Sequence, residues 1–415
     1  MPPVSSASMS KVSCVTDHTR PGHAPTLLAS LLHFDMSFML WVLPAALGVF
    51  IAEDLRLTAS MKGLLVAVPI LTGSLLRVPI GLLADRFGGR LVGALLLSVL
   101  FLPLMVGWLL PATTASIFVV AATLGVAGSS FAVALPLASR WYPPEKQGLV
   151  MGIAAAGNSG TVIVNLVAPR LALAWGWPTV FGLAMLPLAL VLTLFLALAR
   201  EAPGATAPST GRARVLAGGD VWWFCLFYAV TFGGYAGLSA FLPLLFRDQY
   251  GATPVVAGQV TALAALVGSL SRPFGGYIAD RVGGVRVLSL TLTGVAIVYA
   301  LAARLPAWPG MLTLVVIGMC CLGLGNGAVF QLVPLRFGRD IGVATGIVGA
   351  VGGVGGFLLP TLLGVTRQMT GSFGSAFAML AVAAAIVALL LPVLAMAQAG
   401  WRVGWRQPVG AVEEA

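Results

Sequence analysis

Two arginines, Arg77 and Arg272, stand in the middle of long apolar runs, in a chain of which only 9% of residues are charged. A cation at bilayer depth costs about 2.5 kcal/mol or more, so it is retained where it faces a polar cavity and has work to do. The nearest acids in sequence are Asp85 and Asp280, each eight residues further on. At 1.5 Å per residue that puts both arginines roughly 12 Å inside the membrane edge. Snorkelling to the interface is the ordinary alternative, and at this depth it is strained. Two guanidinium groups at one level, with no embedded carboxylate nearby, describe a site for an anion.

Other polar side chains fall at the same level. The chain has three asparagines, Asn158, Asn165 and Asn326, all within apolar runs although Asn favours turns and caps. Asn158 and Asn165 lie two turns apart on one helical face. Hydrogen bonding between helices is the plain alternative for each of them. Phe131, Thr231, Phe232 and Tyr235 reach the same layer, where aromatic walls would dry a pocket and clamp a flat ligand; ordinary packing serves any one of them equally well.

These residues need helices long enough to place them. The 415 residues are 59% hydrophobic, with mean hydropathy +1.00, against about 25% charged residues in a soluble domain. Apolar runs of about 20 residues recur along the chain, each able to cross a hydrocarbon layer of ~30 Å. The expected class is therefore an all-α integral membrane protein. Twelve spans are expected at about 29–52, 63–84, 91–111, 114–139, 147–170, 177–199, 221–246, 255–279, 287–304, 309–335, 342–367 and 372–397. That divides the chain into a tail (1–28), a six-helix bundle (29–199), a Pro/Gly/Ser-bearing linker (200–220), a second six-helix bundle (221–397) and a tail (398–415).

The net charge of +10 reads as loop asymmetry rather than affinity for nucleic acid. With both ends inside, the cytoplasmic segments hold fifteen basic residues, among them Arg86, Arg90, Arg140, Lys146, Arg336 and Arg339. The outer side keeps six: Arg56, Lys62, Arg170, Arg247, Arg304 and Arg367. Both termini are expected in the cytoplasm of a cell-membrane, multi-pass protein. Cys14, Cys225, Cys320 and Cys321 lack metal-ligand or disulfide spacing.

The two halves repeat. Gly73-Ser74-Leu75-Leu76-Arg77 recurs as Gly268-Ser269-Leu270-Ser271-Arg272, and Gly81–Gly89 recurs as Gly276–Gly284, both at an offset of 195 residues. Such six-plus-six duplication resembles the major facilitator superfamily, which holds its substrate at the midplane between the halves. The Asp85-Arg86 and Asp280-Arg281 segments resemble that superfamily's loop after helix 2, implying charge pairs that hold the cytoplasmic side closed. A solvated turn is the simpler reading. Glycines crowd helix 5 (Gly148, Gly152, Gly157, Gly160) and helix 11 (Gly346, Gly349, Gly352, Gly353, Gly355, Gly356). Close packing is their first role, and bending at Gly157, Gly160, Gly352 and Gly353 a second.

Four segments carry a narrower resemblance. Gly152–Gly160 running to Pro169, Gly346–Phe357 running to Pro360, Gly325–Gln331 and Thr231–Gly234 are similar to the nitrate/nitrite porter family within that superfamily. The resemblance implies that Arg77 and Arg272 hold a planar oxyanion between them, with Asn158 and Phe131 beside it. Tyr235 and Phe241 both fall near the expected helix 7 aromatic. Asn326, in the matching helix 10 segment, is placed with them. The implied function is transport of nitrate, and of nitrite, by alternating access; a facilitator for a monocarboxylate or cyanate would use the same arginine pair. Nitrate suits guanidinium forks, and none of the three lysines falls mid-span.

Coupling is open at this stage. Every acid except Asp35 falls in a loop, a tail or at a span end, and His33 with Asp35 makes either a proton-linked pair or an interfacial polar pair. Exchange of nitrate for nitrite and proton-coupled uptake both remain. No enzyme is expected: the histidines are only His18, His23 and His33, with neither a nucleophile elbow nor a phosphate loop. No cofactor or metal is called for. The expected partners are the small anion, a coupling proton if uptake is proton-linked, and the lipid bilayer, with no nucleic acid, and a monomer is the expected form.

Overall fold

The computed structural model describes residues 22–143, 150, 154, 156–203, 212–337 and 341–404, and all regular structure among them is helical. Twelve helices form the body: α1 (Ala24–Asp54), α2 (Ala59–Phe87), α3 (Gly89–Leu109), α4 (Thr114–Ser139), α5 (Gly160–Trp175), α6 (Trp177–Leu198), α7 (Gly219–Tyr250), α8 (Pro254–Val282), α9 (Gly284–Ala302), α10 (Trp308–Phe337), α11 (Ile341–Thr370) and α12 (Gly374–Ala397). Eleven of them are long and apolar enough to cross a membrane, and α5 is a shorter apolar helix. Two short helices, Arg212–Ala217 and Ala399–Val403, flank the second set of six.

Several boundaries depart from expectation. The first helix starts at Ala24, inside the expected tail. The expected end of helix 5 at about residue 170 is wrong by a turn and a half: Pro169 lies inside α5, and the Arg170 guanidinium donates to the Leu166 carbonyl. Arg170 is thus helical rather than in an outer loop. The Asp85-Arg86 segment is not a loop either, since α2 continues to Phe87 and the reversal falls at Gly88, φ 92°. Gly283, φ 102°, repeats it after α8. Positive φ is strained for any residue with a Cβ, which explains the paired glycines. Residues 1–21 and 405–415 of the tails, 204–211 of the linker, and Lys146, Gly148, Gly152 and Arg339 lie outside the described residues.

Helix starts follow side-chain chemistry. Thr58 accepts from the Met61 amide at the head of α2, and Thr253 accepts from the Val256 amide at the head of α8, each satisfying an orphan donor. Prolines sit inside most spans, where neighbouring helices compensate the missing bond. Helix α4 changes winding: Gly125–Ser130 forms a 3-10 segment between two α-helical pieces.

Small residues set how closely helices approach. A Cβ on Gly63 of α2 would lie 2.4 Å from the Pro360 carbonyl of α11, and one on Gly364 would lie 2.6 Å from the Ala59 carbonyl. Across the repeat, a Cβ on Gly258 of α8 would lie 2.3 Å from the Asn165 carbonyl of α5. The halves therefore meet along α2–α11 and α5–α8. At the end carrying Arg56, ion pairs also join them: Lys62–Asp248 and Glu53–Arg247, both 2.7 Å. There Gln368 accepts from the Ser60 hydroxyl at 2.5 Å.

Gly63→Val is expected to force α2 and α11 apart and destabilise the protein by about 1–3 kcal/mol. The thermal unfolding midpoint in detergent, followed by tryptophan fluorescence, checks it; an unchanged midpoint would show that this approach is not needed.

Candidate functional site

Arg77 is held from two directions. Its Nε donates to the Gly128 carbonyl at 3.1 Å, and its Nη1 donates to the Gly349 carbonyl at 2.5 Å. Gly128 belongs to the 3-10 segment of α4, whose shorter-range bonding turns carbonyls off the α-helical ladder. Gly349 belongs to α11, so one guanidinium bridges both halves. The third nitrogen, Nη2, is buried and has no partner. Arg77 is 3% exposed.

Arg272 is half-buried on α8, and its Nε and Nη2 are also buried without partners. One aromatic ring links the two cations: the Phe232 ring centroid lies 5.2 Å from the Arg77 Cζ and 5.4 Å from the Arg272 Cζ. Phe131 and Trp41 add faces to Arg77 at 5.3 and 5.8 Å, and Tyr235 adds one to Arg272 at 4.9 Å. Among the described residues neither arginine is paired with a carboxylate. Cation–π contact gives about 0.5–2 kcal/mol per ring and does not cancel charge. Two cations with three open donor nitrogens can receive one small anion with several acceptor oxygens.

The expected companions divide. Phe131 stands against Arg77 and, at 6.4 Å, against Phe330 of α10. Asn158, in the 3-10 turn Ala156–Ser159 before α5, is buried with Oδ1 unpartnered. Asn326 is buried with both amide atoms unpartnered. It precedes Phe330 by four residues, so the two share a face of α10. Asn165 is otherwise engaged, donating to the Thr161 carbonyl of its own helix at 2.8 Å. Tyr235 offers its ring to Arg272, but its hydroxyl bonds Ser269 of α8 at 2.8 Å. Phe241 meets the Phe373 ring edge-on at 5.6 Å instead.

Three aromatic residues were not singled out from the sequence. Tyr228 stacks on Phe232 with centroids 5.0 Å apart and meets Phe330 edge-on at 5.0 Å. Its spacing of one turn from Phe232 was the available signal. Phe330 and Trp41 complete the wall; the Trp41 indole is fixed by donating to the Pro69 carbonyl at 2.7 Å.

Of the residues expected to gate, Asp85 pairs at 2.7 Å with Arg140, which caps the end of α4, bracing two helices of the same half. Arg86 does not join it: its Cζ lies 5.2 Å from the Phe87 ring. Arg281 likewise covers the Tyr277 ring at 4.2 Å, and Asp280 precedes it in the last turn of α8. A Cβ on Gly352 would lie 2.2 Å from Tyr228, on Gly353 1.8 Å from the Ser74 hydroxyl, and on Gly160 2.2 Å from the Asp35 carbonyl. Gly157 falls in the 3-10 turn, and its surroundings lie outside the described residues.

His33 and Asp35 do not form a pair. His33 donates from Nε2 to the Gly93 carbonyl at 3.1 Å and packs on Phe195, whereas Asp35 accepts from the Ser159 hydroxyl at 2.7 Å. Two residues apart on a helix, they point to opposite faces. Among the described residues no cluster of His, Cys, Asp and Glu could hold a metal.

Comparison with known proteins agrees with the helical plan. The chain is similar to the nitrite extrusion protein of Bacillus subtilis, 35% identical over 82% of this chain and 86% of that one. It is 35% identical to the probable nitrate/nitrite transporter NarK2 of Mycobacterium tuberculosis, over 88% of this chain and 95% of the relative. It is 31% identical to the probable nitrate/nitrite antiporter NarK1 of Thermus thermophilus, over 88% and 90%. Among solved structures, the D-xylose–proton symporter superposes with a TM-score of 0.71 at 16% identity, covering 88% of this chain and 96% of that one, a likeness of fold alone. These relatives are named as carriers, not enzymes. Matched over residues 29–360 by the family model described as Major Facilitator Superfamily, and by these relatives over most of its length, the chain belongs to the major facilitator superfamily, in its nitrate/nitrite porter family.

Proposed function

We propose that this protein carries nitrate, and with it nitrite, across the cell membrane by alternating access, with the anion held between Arg77 and Arg272. The observation that carries the reading is the set of buried, unpartnered nitrogens: Arg77 Nη2, Arg272 Nε and Arg272 Nη2. An unmet donor on a charged group costs more than the 1–3 kcal/mol of a neutral one, so these nitrogens call for an acceptor that the neighbouring residues do not supply. A planar oxyanion matches guanidinium forks edge to edge, and the faces of Phe232, Phe131, Tyr228 and Phe330 suit a flat, weakly hydrated ion. Asn158 and Asn326, both buried with unpartnered amide atoms, are the amide groups this reading adds to the site. The names of the relatives point to the same cargo.

Alternating access is supported by where the halves are tied. Lys62–Asp248 and Glu53–Arg247 clasp the end that the loop charges assign to the outside, a grouping compatible with an outer side closed. In this reading both termini face the cytoplasm, and Gly160, Gly352 and Gly353 let α5 and α11 shift against their neighbours.

For coupling, nitrate/nitrite exchange is the preferred mechanism. Asp35, the one acid more than a turn from a helix end among the described residues, is held by Ser159 rather than by either arginine, which speaks against a carboxylate relay at the anion.

Arg77→Lys or Arg272→Lys is expected to cut uptake of isotopically labelled nitrate into proteoliposomes by at least about tenfold, because a lysine lacks the planar fork. Insertion should be intact; wild-type uptake by either variant would refute this site. Uptake retained but blocked better by cyanate or a monocarboxylate would keep the site and change the cargo.

With imposed gradients varied separately, nitrate influx should require internal nitrite and ignore a pH difference. Influx driven by the pH difference with no internal nitrite would establish proton symport instead.

A further inference from the structure

The membrane-facing surface of the first half carries a groove that the anion site does not use. It runs between α2 and α3 with a cavity volume of about 390 Å³ and is lined by Ile80, Leu83 and Phe87 on one side and Leu91, Leu95 and Val99 on the other. All its lining residues are apolar, and most are exposed at the protein surface. In a protein whose helices cross a bilayer, such a furrow is a seat for a hydrocarbon chain.

One end of the furrow is charged. Phe87, a lining residue, has the Arg86 guanidinium over its ring, with Cζ 5.2 Å from the centroid. Arg86 is exposed at the last turn of α2, and among the described residues it has no carboxylate partner. Its neighbour Asp85 is already taken by Arg140 at 2.7 Å. Arg90 is turned away, donating from Nη2 to the Leu196 carbonyl at 2.8 Å, while Glu201 accepts from the Arg90 backbone at 2.6 Å. The open cation at the mouth is therefore Arg86, at the helix end where lipid headgroups lie.

We infer that this groove holds an acyl chain of an anionic phospholipid whose phosphate rests on Arg86. A zwitterionic lipid would bring its own ammonium to a mouth that is already positive. Position by position, the repeat in the second half lacks these parts: Val282 stands for Phe87 and Arg286 for Leu91. There Arg281 is drawn onto the Tyr277 ring at 4.2 Å. Arg281 is thus an internal control for diffuse surface charge.

The test is native mass spectrometry of the full chain released from nanodiscs made of equal parts dioleoyl-phosphatidylglycerol and dioleoyl-phosphatidylcholine. One phosphatidylglycerol should stay bound to the wild type. Arg86→Gln should lower that retention about fivefold, the scale of one surface cation, and Leu95→Trp, which fills the furrow, should lower it comparably. Arg86→Lys and Arg281→Gln should retain the lipid, and size-exclusion profiles show that each variant is folded. The inference is overturned if phosphatidylcholine is held equally well, if Arg281→Gln loses as much as Arg86→Gln, or if Leu95→Trp holds the lipid as the wild type does.

Discussion

Two like charges are kept close to one aromatic ring in a low-dielectric interior with no carboxylate beside them among the described residues, and the rest of the structure is arranged around that constraint. Desolvation and mutual repulsion both oppose it. What offsets them is partial: two backbone carbonyls on Arg77, and ring faces on both cations. Neither removes the charge. In the proposed function the cargo does, which is why the same site can bind an anion and reject cations without a separate filter.

The carbonyl contacts have a further consequence. Gly128 lies in the first half and Gly349 in the second, so Arg77 senses both at once. Around that bridge the halves approach through glycines on α2–α11 and α5–α8, where backbones touch and side chains leave little slack. Small-residue interfaces of this kind let packed helices slide or rock with few side-chain rearrangements. Lys62–Asp248 ties α2 to α7 and Glu53–Arg247 ties α1 to α7, an electrostatic clasp between the halves. A pair that is 20% exposed on both sides contributes modestly to stability and is easily separated.

Much of this was legible in the residues. The 195-residue offset located both arginines and both helix-end Asp-Arg pairs, because duplication preserves spacing. Apolar run length located twelve helices, since the bilayer imposes one length on all of them. The misses have physical causes. Pro169 and Arg170 looked like a helix end, but a proline is tolerated where neighbouring helices pack, and Arg170 folds back on its own helix. The Gly128 and Gly349 carbonyls could not be anticipated, because every residue has one and only tertiary winding makes it available. Tyr228 and Trp41 were hidden for a related reason: among so many apolar residues, an aromatic facing the centre reads the same as one in the packed core. The Asp85 partner lay 55 residues away at the end of α4, beyond any local spacing rule.

The most direct measurement is a crystal structure of the protein grown with and without nitrate, compared as a difference map. Planar density between Arg77 and Arg272, within hydrogen-bond distance of Arg77 Nη2 and of Arg272 Nε or Nη2, is the expected result. Nitrate density elsewhere in the protein, or a carboxylate seated on either guanidinium in the nitrate-free crystal, would contradict it.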